Sequence, residues 1–303
     1  MRISTNTIYQ SGINKINNLQ FEQAKLQQQI STGRRISTPA DDPVAAARAL
    51  EISHAQSVNA KFSDTRQTAQ LKLNTLESNL TSVTNALVSV HSSLVAAGNG
   101  AFSDQERGFI AADLNNTLEA LIGLANTKDA AGDYLYAGFK TDSKPFIANA
   151  GGASYVGDSN EQLLQVDTQR QMAVNVTGDK VFQNGGNDIF ATLQNLVNIL
   201  NTPLTPATQA AFSAGLATGI NSIQTGLDNV LTVRAAIGSR LNELDALDIA
   251  GSDRDLQYSK SLSELQDLDY ASALSELAKN MTIMEAAQKS FVQTTGLSLF
   301  DFI

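Results

Sequence analysis

Leu73, Leu76, Leu80, Val83, Leu87, Val90 and Leu94 step by three and four residues without a miss. No other feature restricts the possible folds so tightly. Apolar residues at this spacing form one seam along a helix, and such seams pack lengthwise against other helices. Counting backwards in the same register reaches Ala69, Phe62, Ala55 and Ile52. Asp42 can cap the free N–H groups of a helix start, and Pro43 suits its first position, where a missing N–H costs nothing. Gly98-Asn99-Gly100 supplies the stop. The spacing therefore predicts a helix from Pro43 to about Ala97, roughly 80 Å long at ~1.5 Å per residue.

A partner helix opens at Ser103, where Glu106 completes a capping box, and carries Ile110, Leu114, Thr117, Leu121 and Leu124. It is expected to fold back antiparallel. The second half repeats the pattern in Ile220, Ile223, Leu227, Val230, Ile237, Leu241 and Leu244, with Arg234 interrupting the seam. A shorter helix starts at Ile189 and ends near Thr202-Pro203, and Gly251 marks an expected helix break. The ends of the chain carry stripes of their own: Tyr9, Ile16, Leu19, Leu26 and Ile30 at one, Tyr270, Leu274, Leu277, Met281, Met284 and Phe291 at the other.

Residues 133–188 change character. Gly and Asn punctuate short alternating runs such as Leu164-Gln165-Val166 and Met172-Ala173-Val174-Asn175-Val176, which read as strands and turns. The expected architecture is mainly α, an elongated antiparallel helical rod with a small β-rich domain inserted at its far end. Residues 1–42 and 260–303 form paired terminal helices. Residues 43–132 and 189–259 form the rod, and 133–188 the inserted domain, whose deletion between 141 and 183 should cost the rod little.

Composition narrows the function. The 303 residues include no Cys, no Trp and two His, and the net charge is −9. An acidic balance disfavours nucleic acid and anionic membranes alike, and no apolar run of membrane-spanning length is expected. Without Cys there is no disulfide or thiolate chemistry, and His54 and His91 are too few for a zinc site. Asp41-Asp42 is a tempting carboxylate pair, but directly before Pro43 it is better read as a cap. No P-loop or nucleophile elbow is present; Gly151-Gly152 and Gly157 are turn glycines. No cofactor, metal or catalytic residue is expected.

The two terminal stripes point elsewhere. Two helices cannot enclose a core, so each leaves an apolar flank that must find neighbours. Residues 1–35 carry a net charge of +4 and residues 250–303 a net charge of −4, which favours pairing of the ends, although exposed ion pairs contribute only ~0–1 kcal/mol each. The expected assembly interface is Ile16, Leu19, Leu26, Ile30, Leu274, Leu277, Met281, Met284 and Phe291.

Ser31-Thr32-Gly33-Arg34-Arg35-Ile36, followed by Ala40-Asp41-Asp42-Pro43, resembles the N-terminal signature of bacterial flagellins and their relatives. Within that family, Gly132-Asp133-Tyr134-Leu135-Tyr136-Ala137-Gly138, Asp188-Ile189-Phe190-Ala191-Thr192-Leu193 and the ending Leu297-Ser298-Leu299-Phe300-Asp301-Phe302-Ile303 are similar to the hook–filament junction type rather than to filament flagellin. The resemblance implies a flagellin-like fold and a non-enzymatic subunit in a thin ring between hook and filament. It implies as partners a hook-side junction protein, flagellin and copies of the same chain. It also implies extracellular placement on the flagellum after export without signal cleavage, with an export chaperone holding the C-terminal region beforehand. A short flagellin that forms the filament itself, and a cytoplasmic helical binding protein, are the alternatives.

Overall fold

The computed structural model describes residues 5–98 and 102–296, side chains at 5, 6, 8 and 294–296 excepted. The proposed stop at Asn99-Gly100 and the apolar ending 297–303 lie outside these residues. Among the described residues seven α-helices dominate: α1 (Thr5–Thr32), α2 (Pro43–Ala97), α3 (Asp104–Ala125), α4 (Gly178–Phe182), α5 (Ile189–Leu200), α6 (Gln209–Gln266) and α7 (Tyr270–Gly296). Four short strands lie between α3 and α4: β1 (Phe146–Asn149), β2 (Gly152–Tyr155), β3 (Leu163–Asp167) and β4 (Arg170–Ala173). They form two antiparallel hairpins, β1 with β2 and β3 with β4. The mainly α reading with short strands therefore holds.

Contacts divide the chain into two compact units, residues 1–59 with 252–303, and residues 60–251. In the second unit the α2 seam is fully formed: Ala69, Leu73, Leu76, Leu80, Val83, Leu87, Val90, Leu94 and Ala97 are buried. One stretch of α2 is apolar enough, by length and composition, to cross a membrane, contrary to expectation; 39% of it is buried, as befits the core helix of a bundle. From α6, Ile223, Leu227, Val230, Ile237 and Leu244 enter the same cluster, with Ile220 and Leu241 partly buried against it. Arg234 does not break the seam. Its guanidinium donates to Glu77 Oε1 at 2.6 and 2.9 Å and to Thr84 Oγ1 at 3.3 Å. On α3 the capping box at Ser103 and Glu106 is present. The buried line is Arg107, Ala111, Leu114, Leu118, Leu121 and Ala125, so Ile110, Thr117 and Leu124 flank it.

The heptad register of α2 also passes through two polar residues. Arg66 stands seven residues before Leu73 and is 1% exposed; Asn59 stands seven before Arg66 and is buried too. Arg66 pairs through Nε with Asp248 and donates through Nη1 to the Val166 carbonyl at 3.1 Å. A buried guanidinium survives only with such partners. It joins α2, α6 and β3 at one point.

The strand-bearing segment sits beside the middle of α2, not past its C-terminal end. Lys72 reaches Gln162, and the Tyr136 hydroxyl donates to Asn79 Oδ1 at 2.7 Å. Burial, with the Glu77 charge behind it, pushes the Tyr136 phenol far above its ordinary value, so it remains a donor. Phe146, Phe182 and Phe190 stack edge to face and face to face with centroids 5.1–5.4 Å apart. These rings belong to the same buried cluster as the leucines of α2. Among the described residues, the fully buried aromatic side chains, Tyr136, Phe146, Phe182 and Phe190, are thus gathered where segment meets helix. Gly152, the first residue of β2, has φ +114°, and a β-carbon there would stand 2.6 Å from the Phe190 carbonyl, so glycine is needed for close packing.

Gly251 was expected to break a helix, and it does not. α6 runs through it from Gln209 to Gln266 with Gly251 buried. A helical Gly costs only ~1 kcal/mol against Ala, which packing readily offsets. The break falls instead at 267–269. Nearby, Asp255 accepts from Gln56 Nε2 at 3.1 Å.

Candidate assembly surface

Ser31, Thr32, Gly33 and Arg34 lie where α1 ends. Gly33 closes the helix by donating to the Gln29 carbonyl at 2.9 Å and takes φ +70°. A β-carbon at Gly33 would stand 2.9 Å from the Tyr270 hydroxyl; the positive φ is what favours glycine, and the tip of the Tyr270 side chain would have to shift for any other residue. The following residues pair with the break between α6 and α7. Arg34 and Asp267 form an antiparallel bridge. Arg35 N–H donates to the Gln266 carbonyl at 2.7 Å, and Leu268 N–H to the Gly33 carbonyl at 3.0 Å. The Arg35 guanidinium adds a bond of 2.8 Å to the Leu265 carbonyl. The motif ties the N-terminal helix to the C-terminal one through backbone groups.

Asp41 and Asp42 are both structural. Asp42 Oδ1 accepts from Ala45 N–H at 3.0 Å, capping α2 ahead of Pro43. Asp41 sits 2.8 Å from Lys25 Nζ and accepts from the N–H groups of Ser37 and Thr38. The Lys25 ammonium first, then the Thr38 amide, hold its carboxyl well below the usual carboxylate range. Lys25–Asp41 and Arg35–Asp42 join basic residues to carboxylates of the same N-terminal segment. His54 is exposed and His91 half-buried. Among the described residues no three His, Asp or Glu side chains converge as a metal site.

α1 and α7 pack against each other, antiparallel, with Gly12 beside Phe291 and Gly33 beside Tyr270. Ile16, Leu19, Leu26 and Ile30 are half-buried on α1, as are Leu277, Met284 and Phe291 on α7. Leu274 and Met281 are not in this seam; they remain about half exposed, at 52% and 45%. The α7 seam instead runs Ala273, Leu277, Asn280, Met284, Ala287 and Phe291, a strict heptad containing two alanines and an asparagine. A stripe read by counting large apolar residues merges the seam with its exposed neighbour.

Within this terminal unit the buried apolar residues, among those described, are three alanines: Ala45, Ala49 and Ala273. Against them stand exposed Tyr9, Phe21, Val44, Leu50, Leu256, Tyr270, Leu274, Met281, Ile283 and Val292. Phe21, Val44, Leu50, Leu256, Ile283 and Val292 were not foreseen as surface. Their signal was available: each is a large apolar residue off the seam of a helix that has a seam.

The comparisons with known proteins agree in kind. The model of the bacterial flagellin N-terminal helical region matches residues 3–141. Flagellar hook-associated protein 3 of Escherichia coli (strain K12) is 37% identical over 99% of this chain and 99% of its own length. The protein of the same name from Salmonella typhimurium (strain LT2) is 36% identical over the same shares. Among solved structures, a Vibrio parahaemolyticus protein described as flagellar hook-associated superposes with a TM-score of 0.70 at 25% identity, over 75% of this chain and 100% of that one. The flagellar junction protein FlgL of Legionella pneumophila shares the fold, with a TM-score of 0.64 at 21% identity, over 73% of this chain and 100% of that one. With 36–37% identity over nearly the whole length of two such relatives, the chain belongs to the flagellar hook-associated protein 3 family.

Proposed function

We propose that the chain is a non-enzymatic structural subunit that joins the flagellar hook to the flagellin filament by packing its terminal helices among those of neighbouring subunits. One observation carries this reading: among the described residues of the terminal unit, the buried apolar side chains are three alanines, while ten large apolar residues are exposed. A surface of that kind on a soluble chain is an interaction surface or a liability. Its partners on this reading are a hook-side junction protein, flagellin and further copies of itself. An export chaperone would hold the C-terminal region before assembly, and export proceeds without signal cleavage. The match to the flagellin N-terminal region favours, as a second reading, a short flagellin that forms the filament itself.

The test is flagellar morphology in a strain lacking the gene, with flagellin measured in the medium. Hooks without filaments, with flagellin leaking out, are the expected result. Normal filaments would overturn the junction role. The purified chain separates the readings further: a flagellin grows long filaments alone, whereas a junction subunit does not.

A further inference from the structure

We infer that Asn184 is a site of spontaneous deamidation, and that its conversion loosens the docking of α4 on α6. Asn184 is exposed and followed by Gly185 and Gly186 in a short 3-10 turn. Glycine after asparagine leaves the next backbone nitrogen unshielded by a β-carbon. Here Gly185 has φ +61° and no neighbour within 4 Å of where a β-carbon would stand, so the backbone has room to close a five-membered ring. In that step the Gly185 nitrogen loses its proton and bonds to Asn184 Cγ. The Cγ–Nδ2 bond breaks, and the amide leaves as ammonia. Water then opens the succinimide at either carbonyl, giving an aspartyl or an isoaspartyl residue.

The consequence follows from what the side chain does now. Asn184 Nδ2 donates to Asn229 Oδ1 at 2.7 Å. Asn229 in turn donates through Nδ2 to the carbonyls of Lys180 and Val181 at 2.8 and 2.9 Å, satisfying acceptors in the last turns of α4. A carboxylate at position 184 turns the donor into an acceptor facing an acceptor. If Asn229 flips to meet it, its oxygen faces the two α4 carbonyls instead. Either arrangement loses hydrogen bonds that the native pair makes together. The isoaspartyl product also lengthens the backbone by one carbon within the turn.

The experiment ages the full-length chain at 37 °C in mildly alkaline buffer and maps deamidation by peptide mass and isoaspartate labelling. Conversion at Asn184 should outpace that at exposed asparagines before other residues, such as Asn116, Asn160 and Asn221. Peptide mapping separates it from the other Asn-Gly pair, Asn99-Gly100. Asn184→Asp should melt about 2–4 °C below the parent, the scale for losing roughly one hydrogen bond in a unit of this size. It should also melt below Asn184→Ala, which removes the contact without adding an opposed acceptor. Conversion at Asn184 no faster than at the other sites would overturn the modification. An Asn184→Asp melting point equal to that of the parent or of the alanine variant would overturn its consequence.

Discussion

The Phe291 ring occupies the space that a side chain at residue 12 would need: a β-carbon on Gly12 would stand 2.6 Å from Phe291 Cδ2 and 2.7 Å from Cε2. Tyr9 lies alongside, its ring centroid 5.2 Å from that of Phe291. Gly12 is inside a helix, where alanine is ordinarily better by ~1 kcal/mol. Gly12→Ala is nevertheless expected to weaken α1–α7 pairing, because Phe291 must give way. Gly238, in α6 with nothing within 4 Å of its β position, is the control. Gly238→Ala should raise stability by about 0.4–1 kcal/mol in urea unfolding. Equal gains from both substitutions would show that Phe291 yields freely.

Arg66 and Asp248 give a second contrast. Asp248 is about one-third exposed and also accepts from Gln70, whereas Arg66 is enclosed. Asp248→Ala leaves a buried guanidinium with only the Val166 carbonyl and should cost about 1.5–3 kcal/mol, the scale of a hydrogen bond to a charged group. Arg66→Leu restores an apolar residue at a seam position and should cost less, since it removes the buried charge itself. Urea midpoints in the opposite order would mean that the guanidinium has other stabilising partners.

Deleting residues 141–183 was expected to spare the helices, and the packing predicts otherwise. The deletion removes Phe146, Val166, Met172, Val174 and Phe182 from the cluster that contains Leu73 and Leu76. Each large apolar side chain lost from a core costs ~2–5 kcal/mol, so helicity in residues 60–251 should fall sharply by circular dichroism. A deletion variant that kept parental helicity and melting would restore the segment's independence.

These cases show where the sequence was readable. α2 was legible end to end because its cap, its proline and its leucines agree. Arg66 and Asn59 were missed because a charged or amide residue at a seam position reads as an interruption, and its partners lie 182 and 100 residues away for Arg66. The α7 seam was blurred because Ala273, Asn280 and Ala287 carry too little apolar surface to mark a register. The motif from Ser31 to Pro43 was readable as a signature. Its bridge to Gln266 and Leu268 was not, since backbone hydrogen bonds leave no trace in side-chain pattern.

Asp41 makes a pH-dependent prediction. Its folded value lies below the ordinary one, so its contribution is present above the unfolded value, about 3.9, and is lost as pH falls through the folded value. Lys25 is the largest cause. In a carboxyl-resolved NMR titration, Asp41 should stay ionised well below the usual carboxylate range, and Lys25→Met should move its midpoint upward. An ordinary midpoint in the parent chain would remove Lys25 and the 37–41 turn from the account.

The assembly surface is tested by separating the α7 seam from its exposed flank. Leu274 and Met281 are about half exposed within the chain, whereas Leu277 and Met284 are half-buried on the side that carries Ala273 and Phe291. Leu274→Asp with Met281→Asp should leave helicity and melting close to the parent, because the new carboxylates reach water. Incorporation into flagella should nevertheless fail, since a charge buried without a partner at a subunit contact costs several kcal/mol. Leu277→Asp with Met284→Asp should fail too, but with α1–α7 pairing lost in the free chain as well. The informative comparison is between the two pairs. If the exposed pair assembles at the parental level, neighbouring subunits do not cover this flank, and Phe21, Val44 and Leu50 become the next candidates for the contact.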